Sequence, residues 1–170
     1  MVGEIIDGEL IASPRPAAPH ARAASRLGME LGGPFDRGKG GPGGWVILDE
    51  PELHVVEQVL VPDLAGWRRE RMPRVPDVAS FELPPDWLCE VLSPSTAKID
   101  RAHKMRHYAR AGVRHVWLVD PAATTLEIYR LEPDRENEGW RLVQTHAGEV
   151  TIRPEPFEAV DLDLGSLWSR

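Results

Sequence analysis

The most constraining feature of the chain is an apolar run from Trp87 to Leu92 that contains one carboxylate, Glu90. A short run of nearly continuous apolarity predicts a strand covered on both faces. Residues 93–96, which read SPST, offer N-cap candidates for a helix that is expected to end at Gly112. A second apolar run, Val113–Val119, comes next. A strand, a helix and a strand in this order predict a parallel strand pair joined by a crossover helix.

The flanking segments predict antiparallel neighbours for that pair. Asp7-Gly8 between apolar residues is a two-residue hairpin signal, and the alternation at Thr125–Leu131 is typical of a half-buried strand. Four prolines between Arg68 and Pro85 exclude a regular helix there and indicate a surface loop. Further expected elements are a helix at His20–Leu31, ended by the glycines and proline that follow it, and strands at Trp45–Leu48, His54–Leu60, Asp63–Trp67, Trp140–Thr145 and Val150–Arg153. We therefore expect one α/β domain over residues 1–170, with a mixed central β-sheet flanked by helices.

The composition excludes several classes of protein. No apolar run approaches the roughly 20 residues that span a bilayer, and the N-terminus lacks the basic and apolar regions of a signal peptide. Cys89 is the one cysteine and cannot form an intrachain disulfide, which fits a cytoplasmic location. The net charge of −7 opposes nucleic-acid binding on average. The stretch from Lys98 to His115 is nevertheless rich in Lys, Arg and His. It is either a solvated helix face or a basic patch that could contact a nucleic acid.

Three ionisable residues lie in or beside the predicted strands and helix: Asp63, Glu90 and Lys104. A carboxylate in an apolar strand has to be paired, protonated or bound to a metal, because burying it alone is costly. Glu90 is therefore either the partner of a buried ion pair with Lys104 or a metal ligand. Asp63, which follows Pro62, is either a turn residue at a strand start or a second ligand. Two carboxylates from neighbouring strands can hold Mg²⁺ or Mn²⁺, and a nearby lysine can orient the attacking water.

Other ionisable side chains are weaker candidates. Asp100 lies one helical turn before Lys104 and either positions it or forms an ordinary ion pair on the helix surface. Glu52 and His54 either support the metal site from the preceding strand or are hydrogen-bonding groups at a strand end. Packing or surface roles are favoured over catalysis or metal binding for His20, Cys89, His103, His107 and Tyr108.

Longer motifs resemble those of a known family. The resemblance rests on IIDGELIASP, WVILDEPELH, VLVPDLAGWRRERMP, CEVLSPSTAKIDRAHKMRHYARAGVRHVWLVDP and the C-terminal PF, AVDLDL and LW, which are similar to the Uma-two family of restriction-endonuclease-like proteins in the PD-(D/E)XK nuclease superfamily. It spans nearly the whole chain. It implies a restriction-endonuclease-like α/β fold and Mg²⁺-dependent phosphodiester cleavage, with Asp63 as the first acid and Glu90 as the second. The superfamily lysine would lie two residues after the second acid, where this chain has Leu92, so the resemblance makes Lys104 its replacement.

We therefore expect a metal-dependent endonuclease that acts on DNA. Asp63 and Glu90 would bind Mg²⁺ or Mn²⁺, and Lys104 would assist the attacking water. Phosphate contacts are expected from the basic helix, through Arg101, Arg106 and Arg110. The acidic surface and the displaced lysine favour an alternative, a binding or assembly module on the same fold without catalysis. A metal hydrolase of small phosphate compounds is a third option. A homodimer suits a duplex cutter, because each strand needs a site.

Overall fold

A six-stranded mixed sheet runs through the computed structural model, which describes residues 1–132 and 139–170. The strands are β1 Val2–Ile6, β2 Glu9–Ser13, β3 Trp45–Asp49, β4 Leu53–Val55, β5 Gln58–Leu60, β6 Leu64–Arg68, β7 Trp87–Val91, β8 His115–Asp120, β9 Thr125–Leu131, β10 Trp140–Ala147, β11 Thr151–Ile152 and β12 Leu162–Asp163. The α-helices are α1 Ala18–Leu31, α2 Ala97–Ile99 and α3 Met105–Ala111. The large sheet has the order β10-β9-β8-β7-β6-β3, and a second sheet has the order β2-β1-β5-β4.

The predicted parallel pair lies at the centre of the large sheet. β7 and β8 run parallel, with Trp87 opposite His115 and Val91 opposite Val119, while the other neighbouring strands of this sheet are antiparallel. Every residue of β7 is buried, as expected for a strand covered on both faces. The mixed sheet predicted from the strand–helix–strand pattern is therefore confirmed.

The crossover between β7 and β8 is helical but not one regular α-helix. It consists of α2, a π turn at Asp100–Lys104 and α3, and it ends at Gly112, which has a φ of 81°. The prediction of an uninterrupted helix was wrong at the π turn, which propensity and periodicity do not reveal. Both Asp100 and Lys104, the first and last residues of that turn, are buried. The wider turn thus directs two charged side chains into the protein.

Each face of the large sheet has its own apolar cluster. On one face, α1 packs with the C-terminal segment against alternate residues of β7, namely Trp87, Cys89 and Val91. On the other face, Leu88 of β7 packs with residues of α3 and of the small sheet. Glu90 belongs to this second face, because side chains alternate along a strand. Within residues 1–132 and 139–170, no helix is long and apolar enough to cross a membrane.

Two element boundaries predicted for the N-terminal half of the chain were wrong. The glycines and proline after Leu31 do not end the helical segment, which continues as a π turn at Gly32–Asp36 and brings Phe35 into the core. The expected single strand at His54–Leu60 is a hairpin of β4 and β5, because Val56 and Glu57 form a turn with φ values of 46° and 64°. The Asp7-Gly8 hairpin between β1 and β2 is confirmed.

Candidate active site

Lys104 lies at the end of the π turn and is buried, with 2 % of its side chain exposed. Its Nζ lies 2.6 Å from Oε1 of Glu90, 2.7 Å from Oε2 of Glu4 and 3.6 Å from Oδ1 of Asp100. The two shorter contacts are at hydrogen-bond distance, whereas Asp100 lies at the distance of an ion pair. Burial by itself lowers the pKa of Lys104, but the three negative charges outweigh burial and hold the pKa above its usual value. Lys104 is therefore a cation at neutral pH.

Glu90 faces the crossover from the middle of the buried strand β7. Its Oε1 accepts a hydrogen bond from the hydroxyl of Tyr108 at 2.6 Å, in addition to the contact with Lys104. Burial raises the pKa of Glu90 well above its usual range, and the positive charge of Lys104 opposes that shift. The ion pair considered from the sequence is therefore present. Tyr108, for which only packing was expected, lies one helical turn after Lys104 and contacts the same carboxylate.

Asp63 directly precedes β6 and lies next to Glu90 because of the strand register. Leu64 of β6 is opposite Cys89 of β7, so one further step in this antiparallel pair brings Asp63 to Glu90. Oδ2 of Asp63 accepts a hydrogen bond from the backbone N–H of Val91 at 2.7 Å. Burial raises the pKa of Asp63 to about 6, against the opposing effects of His20 and of the Val91 N–H. Asp63 is thus a shielded carboxyl group held across two strands.

Glu4 is the carboxylate that the sequence analysis missed. It comes from β1, is buried, and its Oε2 accepts a hydrogen bond from the backbone N–H of Val61 at 2.8 Å while it contacts Lys104. The signal that identifies it is the alternation of the strand, since Glu4 is in phase with buried Ile6. The hairpin at Asp7-Gly8 was recognised from the sequence, but the inward direction of Glu4 was not read from it.

A cavity of about 350 Å³ opens onto these groups. Its lining includes five carboxyl groups, those of Glu4, Asp63, Glu90, Asp100 and the exposed Glu50, together with Lys104. Further lining residues include Arg15 and His20, and the 93–96 segment that caps the crossover. His20 Nε2 lies 3.5 Å from Oδ1 of Asp63, so His20 belongs to the site rather than to the surface. We refer to this cavity as the active-site cavity.

The structure places the other predicted residues away from the active-site cavity. Glu52 is bonded to His54 at 2.7 Å, with both side chains exposed, and does not line the cavity. Arg101 binds Glu127, and Arg106 binds Asp7 at 3.2 Å. Arg110 is exposed on α3. Of the residues offered as supports or phosphate contacts, only Asp100 lies in the cavity.

No ready-made cluster of metal ligands exists in the described part of the chain. Among residues 1–132 and 139–170, no group of three or more His, Cys, Asp or Glu side chains is arranged to hold a metal ion. His103 and His107 both lie against Asp7, with ring nitrogens 3.6 Å and 2.9 Å from its carboxylate oxygens, and neither lines the active-site cavity. Cys89 packs in the core on the face of the sheet opposite Glu90, in agreement with the packing role expected for it. Burial raises the pKa of its thiol.

Comparison with known proteins identifies the family of this chain. The family model described as "Uma2: Putative restriction endonuclease" matches residues 3–165. The chain belongs to the Uma2 family. The resemblance seen in its motifs is thereby confirmed over nearly the full length of the chain.

A solved structure with the same fold comes from Anabaena variabilis ATCC 29413, where it is described as a putative nuclease belonging to DUF820. The two share 23% sequence identity over 98% of this chain and 89% of the other, with a TM-score of 0.77. The restriction-endonuclease-like fold expected from the sequence is therefore confirmed. No curated protein matches the chain.

Proposed function

We propose that this protein hydrolyses phosphodiester bonds of DNA at the active-site cavity, with Mg²⁺ or Mn²⁺ held by Asp63 and Glu90. The observation that carries the proposal is the excess of carboxyl groups around Lys104. Five carboxyl groups line the cavity, four of them buried or half-buried, and Lys104 is the buried cation among the described lining residues. Burying several carboxyl groups with one cation is unfavourable unless protons or further cations compensate them. A divalent cation supplies that compensation.

The donor set fits Mg²⁺ and Mn²⁺. Both ions prefer carboxylate oxygens, and Mg²⁺ keeps several waters when one or two carboxylates bind it, so two protein ligands suffice. Asp63 and Glu90 are neighbours in the strand register and both line the cavity. When bound, such an ion would activate water and stabilise negative charge on the phosphate oxygens.

The chain's own side chains prepare the two carboxylates. Lys104 favours the ionised form of Glu90, because its charge opposes the effect of burial on the Glu90 pKa. The Tyr108 hydroxyl and the Val91 N–H each hold one carboxylate oxygen in place. Lys104 also lines the cavity, where its charge would attract the phosphate group. These contacts restrict the orientation of the proposed ligands before any ion or substrate arrives.

DNA would approach through the mouth of the cavity, where Arg15 is exposed. Arg15 is therefore the cation best placed to contact a phosphate that flanks the cleaved bond. Arg101 and Arg106 are already paired with Glu127 and Asp7, so their phosphate contacts would have to replace existing ion pairs. Contacts from these two residues and from Arg110 would lie farther along the bound strand.

The test is cleavage of duplex, single-stranded and branched DNA in Mg²⁺ or Mn²⁺. We expect Asp63→Asn and Glu90→Gln to lose activity, because each removes a charge from the proposed ligand pair. Glu52→Gln is the matched control, since Glu52 is exposed and does not line the cavity. Failure of the folded protein to cleave any of these substrates would refute the proposal, as would full activity of Glu90→Gln.

The completeness of the Lys104 contacts favours a second candidate, a binding or assembly module without catalysis. Lys104 lies within ion-pair distance of three carboxyl groups from β1, β7 and the crossover, and such a network can also serve to hold these segments together. Thermal melts with and without Mn²⁺ separate the candidates, because a ligand that binds only the folded state raises its stability. An increase in Tm that Asp63→Asn abolishes supports the metal site. An unchanged Tm supports the module.

A further inference from the structure

A second cavity, of about 710 Å³, lies between the start of α1 and the C-terminal segment. We call it the C-terminal cavity. Its walls are largely apolar and include Leu92, Pro94, Pro121, Leu167 and Trp168. Its volume lies within the roughly 300–1,000 Å³ that is typical of ligand-binding sites. The volume of the C-terminal cavity and its largely apolar lining therefore suit a flat group with apolar faces.

The C-terminal cavity adjoins the active-site cavity. Both are lined by Ala17, His20, Ser93 and Pro94. The active-site cavity carries carboxyl groups and Lys104, whereas the C-terminal cavity presents proline rings, aliphatic groups and an indole. A nucleotide has a similar division, with a charged phosphate beside an aromatic base whose faces can stack on apolar groups.

The aromatic wall is held in place before any ligand binds. The indole Nε1 of Trp168 donates a hydrogen bond to the carbonyl of Gly148 at 3.1 Å. The next residue, Ser169, is tied to α1 by Arg22, whose Nε lies 3.4 Å from the Ser169 carbonyl. A fixed aromatic ring offers a stacking surface at little cost in conformational entropy, and every base has a face that can stack on it.

We propose that the C-terminal cavity binds one unpaired nucleobase of the strand whose phosphate lies at Asp63 and Glu90. The position of the phosphate rests on the proposed function, whereas occupation of the cavity by a base does not. A base within a duplex has to leave its stack and its partner to enter a protein cavity. The preferred substrate is therefore a single strand, or a duplex with an unpaired or easily extruded base at the cleaved position.

The experiment measures binding of a short labelled single strand in Ca²⁺ without Mg²⁺ or Mn²⁺. Ala122→Trp fills the cavity, because Ala122 is exposed and lines it. Ala123→Trp is the matched control, since Ala123 is exposed, does not line the cavity, and donates its N–H to the same Asp120 oxygen. The probes are an intact strand, the same strand with abasic sites, and the corresponding duplex.

We expect the wild type to bind the intact strand roughly tenfold more tightly than the duplex, given the cost of extruding a base. Ala122→Trp and the loss of the bases should each weaken binding roughly fivefold or more, as expected when a stacked base is displaced. Ala123→Trp should bind like the wild type. Equal binding by the two variants, or equal binding of intact and abasic strands, would overturn the base-binding proposal. Cleavage is measured in a separate assay. A protein that shows base-dependent binding but does not cleave DNA would contradict the proposed function and leave the base-binding proposal intact.

Discussion

The ammonium nitrogen of Lys104 and the Oε1 of Glu90 lie 2.6 Å apart in a part of the protein that solvent hardly reaches. The lysine comes from a π turn and the glutamate from the central strand of the sheet. Each favours the charged state of the other, because neither charge is stable alone in this environment. The contact therefore joins the stability of the crossover to the electrostatics of the candidate active site.

Replacing Lys104 should destabilise the protein in a pH-dependent way. Lys104→Met leaves three carboxyl groups without their cation, and loss of one partner from a buried charge network costs about 3–5 kcal/mol. We expect this loss near pH 8 and a smaller one near pH 5, because burial raises the pKa values of Glu90 and Asp100 and so favours their protonation as the pH falls. Urea unfolding at both pH values measures it, with Lys98→Met, on the exposed side of α2, as the control. If Lys104→Met loses the same free energy of unfolding at both pH values, then Lys104 does not compensate the charges of the surrounding carboxylates.

Tyr108→Phe removes the hydroxyl that donates to Glu90 and keeps the ring in the core. We expect a loss of stability of roughly 1.5–3 kcal/mol, the usual worth of a hydrogen bond to a charged group. Metal binding should also weaken, because the Glu90 carboxylate loses one of its fixed contacts. Calorimetry with Mn²⁺ measures the second effect.

Tyr129→Phe is the matched comparison for this change. Tyr129 also donates its hydroxyl to a carboxylate, that of Glu127, but it does not line the active-site cavity. Its loss should lower stability without changing Mn²⁺ affinity. If both variants bind Mn²⁺ like the wild type, Tyr108 has only a structural role.

Asp63 should make the metal-free protein less stable as pH rises. Its pKa in the folded state is about 6, above the usual 3.8, so the folded protein holds this proton more tightly than the unfolded chain. The resulting stabilisation is complete below about pH 4 and is lost as pH rises through about 6. The two values correspond to roughly 3 kcal/mol. The stability difference between wild type and Asp63→Asn should fall by about this amount from pH 4 to pH 7.

Thermal or urea unfolding across that pH range checks the effect. Asp77→Asn, in the exposed loop before β7, is the control and should follow the wild type. Saturating Mn²⁺ should remove the decrease, because the ion favours the ionised carboxylate that the metal-free site disfavours. A difference that stays constant with pH would show that Asp63 is not shielded in solution.

Glu4→Gln tests the carboxylate that sequence analysis missed. The amide keeps the size of the side chain but removes a negative charge that faces Lys104, and its Oε1 must accept the hydrogen bond from the Val61 N–H. We expect a loss of roughly 1–3 kcal/mol and reduced cleavage. Glu9→Gln, exposed at the start of β2, is the control. Unchanged stability of Glu4→Gln would remove Glu4 from the network.

Arg15→Ala tests the entry of DNA into the cavity. Loss of one phosphate contact should weaken binding of all DNA sequences and lower the slope of log affinity against log salt by about one. Fluorescence anisotropy over a range of salt concentrations measures the slope. Arg153→Ala removes an exposed arginine that is paired with Asp161 and does not line the active-site cavity, so its slope should match that of the wild type.

Much of the fold was predictable because its signals are local. The apolar runs of β7 and β8, the loop rich in proline and the Asp7-Gly8 turn each identify an element from a few neighbouring residues. The turn at Val56-Glu57 was not predictable in the same way. Neither residue favours a positive φ, so pairing of β4 with β5 imposes a conformation that propensity opposes.

The residues of the candidate site likewise include some that local sequence signals identified and others that only the structure revealed. The sequence pattern identified Glu90 as an acid in an apolar strand and offered Asp63 and Lys104 beside it, and the family resemblance supplied the roles expected of the three. The sequence pattern also offered Glu52, which the structure leaves exposed beside His54. Only the tertiary structure decided that Lys104 and Tyr108 meet at Glu90 and that Glu4 contacts the same lysine. The direction of these side chains depends on the packing of the first hairpin against β5, on the π turn and on the register of β6 with β7. These features involve contacts between segments that are distant in the chain.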